Sequence, residues 1–437
     1  ADLLWLDTAT PFSWWAANAR AMWFDRLSRN GGGNPADDAT QQIFEELSGI
    51  VDGVNANGRG SQATISIDEV LGWNGYPEMI CQWFPEVLAG RLKPLVPLPS
   101  QCPAPGASSA GLPMMRSPHQ LWTRHHCSAF ISTGEWTADG QILAAHTTWQ
   151  RFANGDHYNV VAHIQPPAGE GYAVTMQTAP GYVASSMDFG QNAAGIVAAS
   201  TSIGASGFLQ DALPYFVRAR RAGQRAHTIE TWIELFRAGN NGGYANTWLL
   251  GEASTARIAA YEITATHEET QGPIDSGAFA SCNIPLSKVI CIQDTGGSNY
   301  DNVLHSGARR VRFGQLLDEH KGCIDAGMAK TMLADHHDVY TGADVASART
   351  ICGHCDTDDD RHNTGHGPFY PWGSLDGKVT TAALVRNGLF EARWGRACGT
   401  PFEAGPFFRR HPQYGDFRPL TRDRPTQPWV VFPTKPR

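Results

Sequence analysis

The two residue types best suited to chemistry in this chain, Cys127 and His146, lie within a single stretch. It reads Cys127-Ser-Ala-Phe-Ile-Ser-Thr-Gly-Glu-Trp-Thr-Ala-Asp-Gly-Gln-Ile-Leu-Ala-Ala-His146-Thr-Thr-Trp149. A thiolate attacks carbonyl carbon readily, but a thiol near neutral pH is mostly protonated and needs a base. The position of Cys127 suggests where that base comes from. The run Lys93-Pro-Leu-Val-Pro-Leu-Pro-Ser-Gln-Cys-Pro-Ala-Pro-Gly-Ala-Ser-Ser-Ala-Gly-Leu-Pro113 precedes it. A run so rich in proline, glycine and serine forms neither helix nor central strand and is a natural place for chain cleavage. A cut between His126 and Cys127 gives the cysteine a free α-amine of pKa ~7.7–8.0, able to take the thiol proton itself. Attack on a carbonyl then calls for donors or a cation at the developing oxyanion. Taken alone a cysteine is more often a buried core thiol; the linker before it and the polar His146-Thr147-Thr148 after it favour the nucleophile.

A hairpin positions this pair. Cys127 onward reads as a strand, Thr137-Ala-Asp139-Gly140 as a turn, and Gln141 to His146 as the returning strand, because Asp-Gly between apolar runs favours a tight reversal. Upstream, residues 1–92 read as helical scaffold. Ile43, Leu47, Ile50, Val51 and Val54 repeat at helical spacing behind a Thr40 cap, and Ser66-Ile-Asp68-Glu69 opens a helix running towards Trp83. Downstream, Tyr158–Ile164, Tyr172–Thr178, Gly195–Ile203, Tyr244–Glu252 and Thr255–Ile263 are β-rich. Asp211–Ala222, Thr228–Ala238 and Ser306–Asp325 are helical. The mixture predicts packed sheets covered by helices. Three parts follow: a helical segment 1–92, a Pro-rich linker 93–126, and a catalytic chain 127–437.

Composition narrows the function. Net charge is -8 with no basic run, so nucleic acid is excluded as a partner. No apolar run approaches the ~20 residues needed to span a bilayer. There are nine cysteines. Setting Cys127 aside, the rest could form disulfides in an oxidising compartment, and a chain opening on Ala1 fits a removed signal peptide. The expectation is a secreted or periplasmic protein, with a cytoplasmic one as the alternative. Cys352-Gly-His-Cys355 spells a redox motif, but an acidic turn-like run from Asp356 follows instead of a helix. A zinc site from Cys352, Cys355, His362 and His366 has suitable ligand types in a small loop. A structural disulfide or a pair of thiols is preferred there, a solvated loop for the acidic run, and no metal or cofactor is expected.

The motifs together resemble two groups of N-terminal nucleophile (Ntn) hydrolases, the phospholipase B-like (lamina ancestor) group and the acyl-CoA:isopenicillin N acyltransferase group. Cys127-Ser-Ala-Phe with His146-Thr-Thr-Trp149 is similar to the nucleophile hairpin. Leu71-Gly-Trp-Asn-Gly-Tyr-Pro-Glu78 resembles the acyltransferase pro-region. Asn240-Asn-Gly-Gly-Tyr-Ala-Asn246-Thr-Trp, Ser281-Cys-Asn283 and Leu375-Asp-Gly-Lys-Val-Thr resemble phospholipase B-like strands, and Ser306-Gly-Ala-Arg309 a motif of both groups. Leu333-Ala-Asp-His-His and Ile351-Cys-Gly-His resemble an acyltransferase pattern, with Gly353 where that pattern has arginine. The resemblance implies an α+β, four-layer αββα sandwich that cuts itself between His126 and Cys127. Cys127 would be the nucleophile, His146 would orient the amine or touch substrate, Asn283 would face the oxyanion, and Arg309 would anchor charge, with Arg310 and Arg312 as competitors. Thr201, Ser202, Trp149 and Asn246 would contact substrate. The implied reaction is hydrolysis of a linear amide, with acyl transfer to another acceptor as a variant. A lipid deacylase is the alternative, and a non-enzymatic secreted binding protein with Cys127 in a disulfide the second. Partners would be a small amide or lipid and, for the processed chain, a second copy.

Overall fold

A computed structural model describes residues 10–28, 35–57, 64–98, 126–185, 188–297, 305–359 and 367–433. Three helices come first: α1 (Phe12–Ser28), α2 (Pro35–Asn57) and α3 (Ile67–Glu78). Ser66 caps α3 through a reciprocal box with Glu69, which satisfies two backbone donors that the first turn leaves free. The chain then runs through one π-turn, Met79–Trp83, to Leu88. The expected cap at Thr40 is not one, because α2 already begins at Pro35, a residue whose fixed φ suits a first turn. The apolar stripe holds all the same: Ile43 and Leu47 are buried while Val54 runs out into solvent.

The strands, in chain order, are β1 (His126–Thr133), β2 (Leu143–Arg151), β3 (Val160–Ile164), β4 (Val174–Thr178), β5 (Phe189–Asn192), β6 (Ile196–Ser202), β7 (Asn246–Glu252), β8 (Arg257–Ile263), β9 (Glu268–Ile274), β10 (Gly277–Ser281), the short pair β11 (His337–Asp338) and β12 (Ala343–Asp344), β13 (Trp372–Ser374), β14 (Asp376–Thr381), β15 (Phe390–Trp394) and β16 (Val430–Phe432). The expected hairpin is present, with Cys127 opposite Thr148 and Ala129 opposite His146. One antiparallel sheet has the order β10-β1-β2-β14-β15-β16, with β13 also paired to β2; the other runs β3 to β9 in sequence order.

Strand alternation decides which residues fill each layer. Ala129, Ile131, Ile142 and Ala144 of the first sheet meet Phe189, Val197, Ala199, Leu249 and Ala260 of the second. The opposite face of the first sheet presents Phe130, Leu143 and Ala145 to Phe313 and Leu316 of α7 (His305–Glu319, which follows the short α6, Lys288–Gln293) and Leu333 of α8 (Ala326–Leu333). That of the second presents Trp248 and Leu250 to Phe216 of α4 (Tyr215–Arg225) and Trp232 and Phe236 of α5 (Ile229–Arg237), with the N-terminal helices packed on the same cluster. The result is the expected four-layer αββα sandwich. Truncating a fully buried inter-sheet ring such as Phe189 to alanine costs about 3–5 kcal/mol.

A buried carboxylate joins the N-terminal helices to the sandwich. Glu78 accepts from Asn241 Nδ2 at 2.6 Å and from the Tyr215 backbone N–H at 3.0 Å, and Arg218 Nη2 donates to Asn241 Oδ1 at 3.0 Å. Gly243 is required beside it, because a Cβ there would lie 2.1 Å from Glu78 Oε2. The eight described cysteines form no disulfide, so the expected disulfides have no support among the described residues; Cys102 lies outside them, as does most of the 93–126 linker.

Candidate functional site

Every polar atom of Cys127 is held by a different neighbour. Its amide N–H donates to Asn283 Oδ1 at 2.8 Å, and its carbonyl accepts from Arg309 Nη1 at 2.6 Å. Its Sγ lies 3.8 Å from Asp188 Oδ2. The residue sits at the start of β1 and is 1 % exposed. Burial pushes its thiol well up, and the Asp188 charge adds to this, so it is a protonated thiol.

Asn283 and Arg309 reach the cysteine from separate elements. Asn283, just after β10, has φ 69°, a left-handed conformation that asparagine tolerates better than most residues. Its own amide is fixed by the Ser202 carbonyl at 2.8 Å, and its backbone N–H by Thr201 Oγ1 at 3.2 Å. Arg309 comes from α7, behind the first sheet, and is fully buried. It also donates to Ser128 Oγ, the Cys282 carbonyl, Asn283 Oδ1 and Ser306 Oγ at 3.0–3.1 Å, and its guanidinium lies 4.3 Å over the Trp149 ring. Arg312 is committed elsewhere, to Asp335 at 2.7 Å. Arg309 is therefore the arginine of that cluster that faces the cysteine.

On the inner face of the first sheet, Ala129, His146 and Lys378 stand side by side in register across β1, β2 and β14. His146 Nε2 meets the Ser200 carbonyl at 2.9 Å; a carbonyl only accepts, so Nε2 carries the hydrogen and Nδ1 is a bare acceptor with no protein partner. Burial, with the Lys378 cation second, holds this imidazole well below its usual range, hence neutral. The fully buried Lys378 donates to Thr148 Oγ1 at 2.7 Å and pairs with Asp376 at 3.1 Å. Asp188 completes the group. Burial raises its carboxyl to about 7, against the opposing hydrogen bond from Tyr244 OH at 2.9 Å. Its other oxygen has no partner in hydrogen-bond geometry among the described residues, though the nearby Ser200 hydroxyl helps to lower this carboxyl. A ligating atom from each of Cys127, His146 and Asp188 falls within 4.8 Å of the other two. A carboxyl titrating near neutrality beside a protonated thiol is suited to move a proton.

Of the residues singled out in the sequence, Cys127, His146, Asn283 and Arg309 converge here. Thr201 and Ser202 are adjacent but spend their groups on Asn283, and Thr201 Oγ1 also meets Ser281 Oγ at 2.6 Å. Trp149 does not face the thiol. It stands opposite His126, so the pleat sends its ring to the outer face, beneath Arg309, while Cys127 points inward. The Trp149 ring also occupies the space beside Gly353, where a Cβ would come within 2.3 Å, so the arginine of the acyltransferase pattern has no room. Asn246 is fully buried with neither amide atom partnered, on the pleat face of Trp248 and Leu250. Asp188, Tyr244, Lys378 and Asp376 were not singled out as site residues. Tyr244, Asp376 and Lys378 lie inside motifs named above, but nothing near Asp188 marks it in sequence. The acidic run is not a solvated loop: Asp356 is buried against Arg396 at 2.7 Å, and Asp358 accepts the Ala348 N–H at 2.8 Å. His362 and His366 lie outside the described residues.

The fold and this site define a class of protein: a two-sheet sandwich with a cysteine at the head of an inner strand, clamped by an asparagine, an arginine and a carboxylate. Residues 14–261, more than half of the chain, match the Phospholipase B family, and the chain belongs to that family. No curated protein matches it. Solved structures similar to it include two variants of the conjugated bile acid hydrolase from Clostridium perfringens. One is 12% identical with a TM-score of 0.35, covering 61% of this chain and 89% of that one; the other is 11% identical with a TM-score of 0.36, covering 61% and 88%.

Proposed function

We propose that this chain is a self-processing cysteine hydrolase that opens an acyl bond, preferentially a linear amide, through an acyl-enzyme on Cys127. The observation that carries the reading is the separate clamping of the sulfur, nitrogen and carbonyl oxygen of one residue. In the maturation step Asp188 takes the Sγ proton and the sulfur attacks the carbonyl carbon of His126. The His126–Cys127 C–N bond breaks, the amine leaves with the proton returned by Asp188, and a thioester remains. Water then releases the His126 carboxylate and restores the thiol. The new amine stays at Asn283 Oδ1 and serves as base in turnover, where Cys127 takes the acyl group and water, or another acceptor, removes it. Lys378 supplies nearby positive charge that favours the thiolate, and the unspent His146 Nδ1 remains for substrate. A site that first breaks its own peptide bond must protonate an amine leaving group, which favours amide substrates. The family match favours a second reading, a deacylase of lipid esters, whose leaving group is easier to expel. A binding protein with Cys127 in a disulfide is disfavoured by its free thiol.

Intact-mass measurement tests the reading. Wild type should give two chains divided before Cys127, and Cys127→Ala a single chain. A folded wild type that stays whole sinks the proposal. Mass-trapping of an acyl group on Cys127 with N-acyl amines and short peptides, set against lysophospholipids, then separates amidase from lipid deacylase.

A further inference from the structure

Away from the Cys127 site, four soft ligand atoms meet. His336 Nε2 lies 3.1 Å from His354 Nε2, which itself lies 3.6 Å from Cys352 Sγ and 3.5 Å from Cys398 Sγ; all four atoms fall within 4.8 Å of one another. One ring nitrogen carries either a single hydrogen or a single lone pair, so three such contacts at His354 Nε2 cannot all be hydrogen bonds. The spacing matches a tetrahedron instead. With Zn–N about 2.0 Å and Zn–S about 2.3 Å, its edges are roughly 3.3 Å between nitrogens and 3.5 Å between nitrogen and sulfur.

We propose that His336, Cys352, His354 and Cys398 form a four-coordinate zinc site. The set is Cys2His2, a composition suited to zinc, and leaves no open position, as in structural sites. Two thiolates and a divalent cation sum to zero charge, which suits a place where Cys352 and His354 are buried. The Thr400 N–H points at Cys398 Sγ from 3.4 Å. These four are not the ligand set that spacing suggests. Cys355 takes no part and is a buried thiol pushed up by desolvation.

The site also has a task. It pins the loop whose Ile351 carbonyl accepts from Ser128 Oγ at 3.3 Å and from Trp149 Nε1 at 3.2 Å. The Trp149 ring is the surface on which Arg309 rests. The metal would therefore hold the back wall of the cysteine site while taking no part in its chemistry.

Metal analysis of the full chain purified from zinc-containing medium tests this. About one zinc per chain is expected, falling to under about a tenth in Cys352→Ser and Cys398→Ser and staying unchanged in Cys355→Ser. Replacement by Co²⁺ should give the visible bands of tetrahedral coordination with thiolate charge transfer. Should the serine variants not fold, His336→Cys serves, since it keeps a ligand and should retain zinc with a Co²⁺ spectrum shifted towards three thiolates. A folded wild type that holds no metal and takes up neither added Zn²⁺ nor Co²⁺ overturns the proposal. A Cys352–Cys398 disulfide on non-reducing peptide mapping does so as well.

Discussion

Two carboxylic acids in this molecule carry the same electrostatic burden and put it to different use. Glu78 and Asp188 are both fully buried, and desolvation raises each to about 7. Glu78 is surrounded by donors, from Asn241 and the Tyr215 backbone, with Arg218 close by. Asp188 accepts from Tyr244, keeps one oxygen unpartnered and turns the other towards a thiol. Burial alone therefore marks neither residue as catalytic. What separates a strut from a base is whether an oxygen is left over and what proton lies within its reach.

The comparison is most sharply tested by exchanging the two acids for amides. Asp188→Asn should slow self-cleavage by roughly 10²–10⁴-fold, the usual worth of a positioned base, and leave the melting temperature nearly unchanged because the amide still accepts from Tyr244. Glu78→Gln should do the reverse. Its NH₂ faces donors, so about 1–3 kcal/mol of stability is lost, while the folded fraction cleaves within a few-fold of wild type. Cleavage followed by mass and stability followed by urea melts read both; a Glu78 variant that folds well yet fails to cleave breaks the comparison.

Next in size is the pH response. Asp188 must be ionised to act, so the cleavage rate should rise about tenfold per pH unit up to about 7 and then level, and this inflection should vanish in Asp188→Asn. Stability runs the other way. Both carboxyls have folded values above their unfolded ones, so the folded state binds more protons and stability falls as pH rises from about 4.5 towards 7. Urea midpoints across that range check the sign, and Glu78→Gln should flatten part of the slope.

Smaller effects follow from the clamps. Arg309→Lys keeps the charge but loses the fork that spans the Cys127 carbonyl, Ser128 and Asn283, and should cost roughly 10–10²-fold in cleavage rate. Asn283→Ala should be less stable than Asn283→Gly by about 1 kcal/mol, because only glycine is free of the left-handed penalty at φ 69°. Both should lose the acceptor for the Cys127 N–H equally. Thermal melts with single-turnover cleavage on the same samples separate strain from hydrogen bonding.

Local chemistry made much of this legible beforehand. Asp139-Gly140 marked the reversal between β1 and β2, Ser66 and Thr228 marked helix starts that are indeed capped, and the stripe in α2 marked its buried side. Errors came where a local rule met a competing neighbour. Thr40 looked like a cap until Pro35 began the helix earlier. The acidic run looked solvated, but Arg396 and the Ala348 N–H bury its first members.

What the sequence by itself determined is the proposed nucleophile's place, at the head of a hairpin strand. A cysteine after a proline-rich run, leading a hairpin, is information carried within a few residues of itself. Only the tertiary structure chose Arg309 over Arg312, because each step along a helix turns a side chain by about 100° and just one direction meets the cysteine. It alone brought Asp188 to the sulfur, sent Trp149 to the opposite face by the two-residue period of a strand, and gathered His336, Cys352, His354 and Cys398 from separate segments. These are contacts between residues distant along the chain, set by how two sheets and their helices pack, and no spacing within the sequence encodes them.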